Sequence, residues 1–123
     1  NMLAGFSEAG LLAEVGDPAA EQAYVDLSSD PQIEPLYQDM ALLLSVMVAD
    51  NRQSSQALLD RLSPLMSTAN ALQGLALEQG AALEIRLGNM DNAKQKLEQI
   101  TNLTEVSATL RRRAEQLLTI LDN

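Results

Sequence analysis

The 123-residue chain contains no cysteine, no histidine and no tryptophan, and only two tyrosines and one phenylalanine. Without cysteine there are no disulfides and no thiol chemistry, and both reducing and oxidising compartments remain open. Without histidine the usual zinc sites and every Ser-His or Cys-His catalytic pair are excluded. Scarce aromatics and β-branched residues argue against a sheet. Basic residues are missing from the first 51 positions: all eight lie between Arg52 and Arg113, while the seventeen acids divide nine to eight between 1–50 and 51–123. The whole formal charge of −9 therefore belongs to the amino-terminal part. A field of that sign argues against nucleic acid as a ligand and suits a basic partner or a solvated acidic surface. Long apolar runs are also missing. Met40–Ala49 is the longest and is broken by Ser45; a membrane span needs about 18 residues, so no direct membrane insertion by this segment is expected.

What is present is an economy of Ala, Leu, Glu and Gln, all good helix formers, in a length suited to one domain over 1–123. The most informative stretch is Glu84–Ile100. It reads as the end of one helix, a Gly88-Asn89 turn, and a returning helix with Ala93, Leu97 and Ile100 on one stripe. A lone hairpin cannot bury that stripe, so neighbours of the same kind are expected.

Seven helices are predicted. The first carries Leu3, Phe6, Ala9, Leu11, Leu12 and Val15 on a broad apolar face and stops at Gly16. Asp17 caps the second, with Pro18 as its first residue and Ala20, Ala23, Tyr24 and Leu27 as its core stripe. Pro35 opens a third helix bearing Leu36, Met40, Leu43, Leu44 and Met47, apolar nearly all round and so expected to be the most buried, with both methionines as core filler and Asp39 as a first-turn acid. Asp50 caps a fourth with Ala57, Leu58 and Leu62 inward, ending near Ser63-Pro64. The fifth runs from about Ala71 to Leu87 with Leu72, Leu75, Ala76, Leu83 and Leu87 inward, and the sixth follows Gly88, capped by Asn89 and Asp91. The last spans Thr104 or Glu105 to Leu121.

Gly16, Asp50 and Gly88 stand 34 and 38 residues apart, and the excess fits the Pro64–Thr68 loop. A 34-residue helix-turn-helix period is that of tetratricopeptide repeats. Counted around Ala49, the other choice of middle origin, the offsets that place Gly80, Ala93 and Leu97 around Gly88 give Ala41, Ser54 and Leu58: small residues where paired helices approach, and a large one to plug the gap between hairpins. In the first hairpin Ala20 and Tyr24 take the places of Ala93 and Leu97, and Glu8 replaces the small residue, with Ala9 and Gly10 beside it. The expected fold is all-α: a tetratricopeptide-like right-handed superhelix of about three hairpins plus a C-terminal capping helix. An irregular helical bundle is the alternative.

Four segments carry a family resemblance: Leu11-Leu-Ala-Glu-Val-Gly-Asp17 with Ala23-Tyr24, Asp39-Met-Ala-Leu-Leu-Leu44, Leu62-Ser-Pro-Leu65, and Leu110-Arg-Arg-Arg-Ala114. With them the chain resembles the tetratricopeptide-like domain of the ancillary Sec translocon subunit and cell-division coordinator family, bacterial membrane-anchored proteins. The resemblance implies an amino-terminal anchor outside this sequence, a repeat domain on the periplasmic face of the inner membrane, and envelope or translocon-associated partners. The sequence departs from the strongest repeats in having no Trp and no basic-and-Asn carboxylate clamp, so an acidic C-terminal peptide is not the implied ligand.

The functional expectation is a non-enzymatic protein–protein interaction scaffold without cofactor or metal, binding a protein or peptide along the concave face of the first helices. Candidate contacts are Glu8, Gln38, Ser45, Gln73 and Gln79, together with the one basic cluster, Arg111, Arg112 and Arg113. Successive helical residues diverge by about 100°, so the three arginines cannot all grip one ligand. Homo-oligomerisation is one alternative. A carboxylate-only enzyme is another, disfavoured because Glu78 and Glu84, six apart, fall on different helix faces.

Overall fold

A computed structural model describes residues 1–49 and 53–123. Among the described residues there are seven α-helices and no strand: α1 (Met2–Glu14), α2 (Ala19–Ser28), α3 (Pro35–Ala49), α4 (Ser55–Ser67), α5 (Gln73–Arg86), α6 (Met90–Asn102) and α7 (Ala108–Leu121). Packing divides them into two compact units, Asn1–Ser54 and Ser55–Asn123. The expected Asp50 cap, and with it the middle turn of the repeat, lies outside the described residues.

In the first unit α1 turns back onto α2 through Gly16, whose φ of 70° is a left-handed conformation open to glycine. The Gly16 N–H donates to Ala13 O (3.1 Å) and the Asp17 N–H to Leu12 O (2.9 Å), closing the last turn of α1. α2 begins one residue later than expected, at Ala19, with Pro18 rather than Asp17 at its N-cap position; Asp17 stands just before it, its Oδ1 accepting from the Ala19 N–H at 2.9 Å. α1 and α2 approach closely at Gly5, where a Cβ would come within 2.8 Å of Leu27 Cδ2. The core that α1 and α2 share with α3 holds Ala9, Tyr24 and Ala41 with Phe6, Ala23, Leu27 and Leu44 against it, and the Phe6 and Tyr24 rings meet at 6.2 Å with a tilt of 55°.

The second unit repeats this turn. Gly88 has φ 80°, its N–H donates to Ile85 O (3.0 Å), and the Asn89 N–H donates to Glu84 O (2.9 Å), so the same pair of closing bonds joins α5 to α6. Seven positions before each glycine stand Ala9 and Ala81, both fully buried, and the expected pairs Ala20/Ala93 and Tyr24/Leu97 are all buried as well. Leu77, Ala81, Leu97, Ile100, Leu110 and Ala114 form one core of α5, α6 and α7.

Several sequence expectations are corrected. α4 does not stop at Ser63-Pro64; it continues to Ser67 with Pro64 inside. Four successive carbonyls near its end each receive a side-chain donor: Ser67 Oγ to Ser63 O (2.9 Å), Thr68 Oγ1 to Pro64 O (2.8 Å), Asn70 Nδ2 to Leu65 O (3.0 Å) and Gln73 Nε2 to Met66 O (3.0 Å). Burial of Leu65 draws the extra turn inward and offsets the proline. Ala57, expected inward, is exposed.

α7 begins later than expected, at Ala108, because Ser107 sits in an extended conformation and its Oγ accepts from the Leu110 N–H at 3.1 Å. α5 rather than α3 is the most buried helix, with seven buried residues in fourteen against five in fifteen. Glycine and alanine on α5 admit neighbours closely: a Cβ on Gly74 would meet Val106 Cγ1 at 2.8 Å and Leu110 Cδ2 at 2.9 Å, and one on Gly80 would meet Met66 Sδ at 2.5 Å. α3, apolar all round, leaves Leu36 and Met47 exposed, so Met47 is not core filler. Asp39, expected as a first-turn acid, is the fifth residue of α3 and falls just beyond its first turn, where the helix dipole acts weakly. Leu75 and Leu87 of the α5 stripe are likewise exposed.

Candidate functional site

The expected contact residues divide into three groups. Ser45 has no accessible surface (0%), and its Oγ donates to Leu42 O at 2.6 Å, as a hydroxyl inside a helix commonly does. It is therefore not presented to a partner. Gln38 and Gln73 are half-buried and hold the backbone together: Gln38 Nε2 donates to Asp30 O (2.6 Å), fixing the α2–α3 connection, and Gln73 closes the end of α4. Glu8 is exposed on α1 and Gln79 is half-buried on α5.

The three arginines of α7 part company, as their helical angles require. Arg113 forms a two-pronged pair with Glu78 on α5, Nε to Oε2 at 2.8 Å and an Nη to Oε1 at 2.9 Å. Those hydrogen bonds and the adjacent negative charge raise the guanidinium above its ordinary value. Arg111 reaches back to donate to Leu103 O at 2.8 Å, tying the α6–α7 loop to α7, while its Nε is buried with no hydrogen-bond partner. Arg112 alone of the three is exposed with no hydrogen bond or ion pair observed for it.

Glu84 is the buried acid of the second unit. Lys96 Nζ lies 2.7 Å from its Oε2, and Asn89 Nδ2 donates to its Oε1 at 3.2 Å. Burial pushes the carboxyl up, but the hydrogen bonds from Lys96, Asn89 and Asn92 and the charge of Lys96 outweigh it and hold the group below its ordinary value. Asn89 thus spends its side chain on Glu84 and makes no side-chain cap to α6, contrary to expectation. Glu78 and Glu84 serve different basic partners on different faces and do not converge on a common point. Sequence inspection did not single out the Glu84–Lys96 pair. The available signal was their placement four residues before and eight after Gly88, an offset of about 6 Å along the paired helices that the long Lys96 side chain, tilted back toward the turn, can span.

A cavity of about 500 Å³ opens between the α4–α5 and α6–α7 loops, lined among others by Asn70, Gln73, Gly74, Leu103, Glu105 and Val106. The amides of Asn70 and Gln73 are already engaged with backbone carbonyls, which leaves Glu105 as the charged member of the lining. Among the described residues no group of three acids could hold a metal ion, and no helix is long and apolar enough to cross a membrane.

The largest departure from expectation lies on α1. Phe6 and Ala9 face α2, but Leu3, Leu11 and Val15 are 73%, 64% and 77% exposed. Positions 3, 7 and 11 follow one another at four-residue steps on one side of the helix and Val15 continues the row just past its end, flanked by exposed Glu8 and Glu14. The apolar face read from the sequence is therefore two faces, one packed and one bare. Comparison with family models, with curated proteins and with solved structures finds no match to this chain.

Proposed function

We propose that this chain is a non-enzymatic protein–protein interaction scaffold built on tetratricopeptide-like hairpins, and that its hairpins continue into the right-handed stack such repeats form. The observation that carries the reading is the duplication of one hairpin plan. α1–α2 and α5–α6 close on the same glycine turn with the same two backbone bonds, and both bury small residues at matching positions. Units of this kind stack their inner faces and offer outer helix faces to partners, which suits binding better than chemistry. The resemblance in the sequence supports placing it on the periplasmic side of a bacterial inner membrane, as the extramembrane part of an anchored envelope or translocon-associated protein.

The test is affinity capture from a bacterial envelope extract with the full chain as bait, beside an Arg112→Glu variant. Translocon or envelope-folding proteins are expected among the captured species, and their loss with Arg112→Glu would put a contact on α7. Recovery of the bait alone, with a mass that grows with concentration, would replace this reading by self-association.

A further inference from the structure

We propose that the outer face of α1 is a docking surface for a basic amphipathic helix, one carrying an aliphatic stripe between rows of Lys or Arg. The inference rests on the scaffold reading and names the chemistry of one partner.

Three observations carry it. The first is the bare aliphatic row itself: Leu3, Leu11 and Val15, with the small Ala4 and Ser7 among them, are exposed on a helix whose opposite side is packed on α2. Single exposed leucines are ordinary, but Leu3 and Leu11 share one side of a thirteen-residue helix with only the small Ser7 between them, and Val15 extends the row just past the helix end. The second is its shape. A row at four-residue steps is the ridge that packs into the groove of another helix, and over twelve residues it extends about 18 Å, roughly three turns of a partner.

The third is charge. Glu8 and Glu14 border the strip, and the chain has nine acids and no Lys or Arg through residue 51. A helix with Lys or Arg beside its aliphatic stripe would meet both the strip and its borders, and the field of the region would speed its approach. A second copy of the chain is a poorer occupant, because its own α1 face brings the same acids and its residues 52–123 balance eight acids with eight bases. Polyanions are repelled for the same reason.

The experiment titrates a fluorescein-labelled 18-residue peptide, Leu at alternating third and fourth positions and Lys at the flanks, with the full chain. A twin with every Lys replaced by Glu is the comparison. The Lys peptide is expected to saturate, and the Glu twin to bind at least about tenfold more weakly at low salt. Leu11→Ser with Val15→Ser should weaken the Lys peptide by at least about tenfold, since both side chains are exposed and their loss leaves the fold's circular dichroism unchanged. Glu8→Lys with Glu14→Lys should weaken it at low salt, the difference fading toward about 1 M salt, where the Debye length is about 3 Å. Glu98→Lys with Glu115→Lys, the same charge change at exposed sites in the other unit, should leave the affinity within about twofold.

Equal binding of the two peptides overturns the proposal, as does full affinity in the double-serine chain. Dimerisation of the wild-type chain that is abolished by the two serines, without peptide binding, assigns the face to a second copy and also overturns it. Envelope capture that persists while the peptide fails removes this inference and leaves the scaffold reading standing; failure of both removes both.

Discussion

Lys96 Nζ and Glu84 Oε2 stand 2.7 Å apart between α6 and α5, with their side chains 19% and 7% exposed, so the pair is largely withdrawn from water. Removing one member leaves the other buried without its counter-charge, which costs more than an intact pair contributes over an apolar one. Lys96→Met is expected to destabilise by about 3 kcal/mol. Lys96→Met with Glu84→Leu should recover most of that loss, measured by urea denaturation.

The same pair sets an acid sensitivity. Glu84 has a lowered value in the folded chain, so the folded state binds the proton less readily than the unfolded one. Its contribution is fully present above the unfolded carboxyl value of about 4.5 and is lost as pH falls from there through the lowered folded value. The melting temperature should therefore fall more steeply below that pH in the wild type than in Glu84→Gln. Parallel profiles for the two chains would contradict this.

Close approach at α5 makes alanine costly where it is usually favourable. Gly74→Ala would press a methyl on the branched ends of Val106 and Leu110, and a loss of about 1–3 kcal/mol is expected despite the better helix propensity. Gly80→Ala meets first the thioether of Met66, an adaptable neighbour, and should cost less. Denaturant midpoints of the two variants give the order.

Asn70 holds the α4–α5 corner from both sides. Its Nδ2 donates to Leu65 O and Thr68 O, and its Oδ1 accepts from the Leu72 N–H at 2.8 Å. Asn70→Ala should cost about 1–2 kcal/mol. Asn70→Asp keeps only the acceptor and should recover little. Hydrogen exchange in the last turn of α4 should rise in both.

Gly16 has nothing within 4 Å of where a Cβ would sit, so its replacement tests backbone conformation alone. With φ at 70°, Gly16→Ala should cost about 1–2 kcal/mol, and Gly16→Asn less. Equal stability of all three chains by thermal melting would contradict a left-handed turn there.

Legibility in the sequence followed contrast. α6 alternates polar and apolar residues sharply, and its stripe of Ala93, Leu97 and Ile100 is buried as its spacing indicates. The glycine turns were equally plain, since Gly16 and Gly88 each follow an apolar helical run and precede a polar start. α1 and α3 are apolar on too many sides for spacing to give a direction, and Leu3, Leu11, Val15, Leu36 and Met47 of their broad apolar faces lie outside. Pro64 carried the strongest local stop signal near the end of α4, but the donors that satisfy the extra turn come from Ser67, Thr68, Asn70 and Gln73, and their joint action is visible only in three dimensions. Of the candidate contacts, Ser45 looked polar and available but is sealed inside α3, because a serine can satisfy its own hydroxyl within a helix.

Within each unit, helices pack chiefly on their neighbours in sequence: α1 on α2, α2 on α3, α4 on α5, α5 on α6 and α6 on α7. Partners so near along the chain find one another after closing only short loops, so collapse of each unit belongs to the microsecond-to-millisecond range of local topologies. Such an order also lets helices leave one at a time from an end. α1 stands at one end of that order and packs chiefly on α2, so within its unit its amides are expected to exchange with solvent before those of α2 and α3.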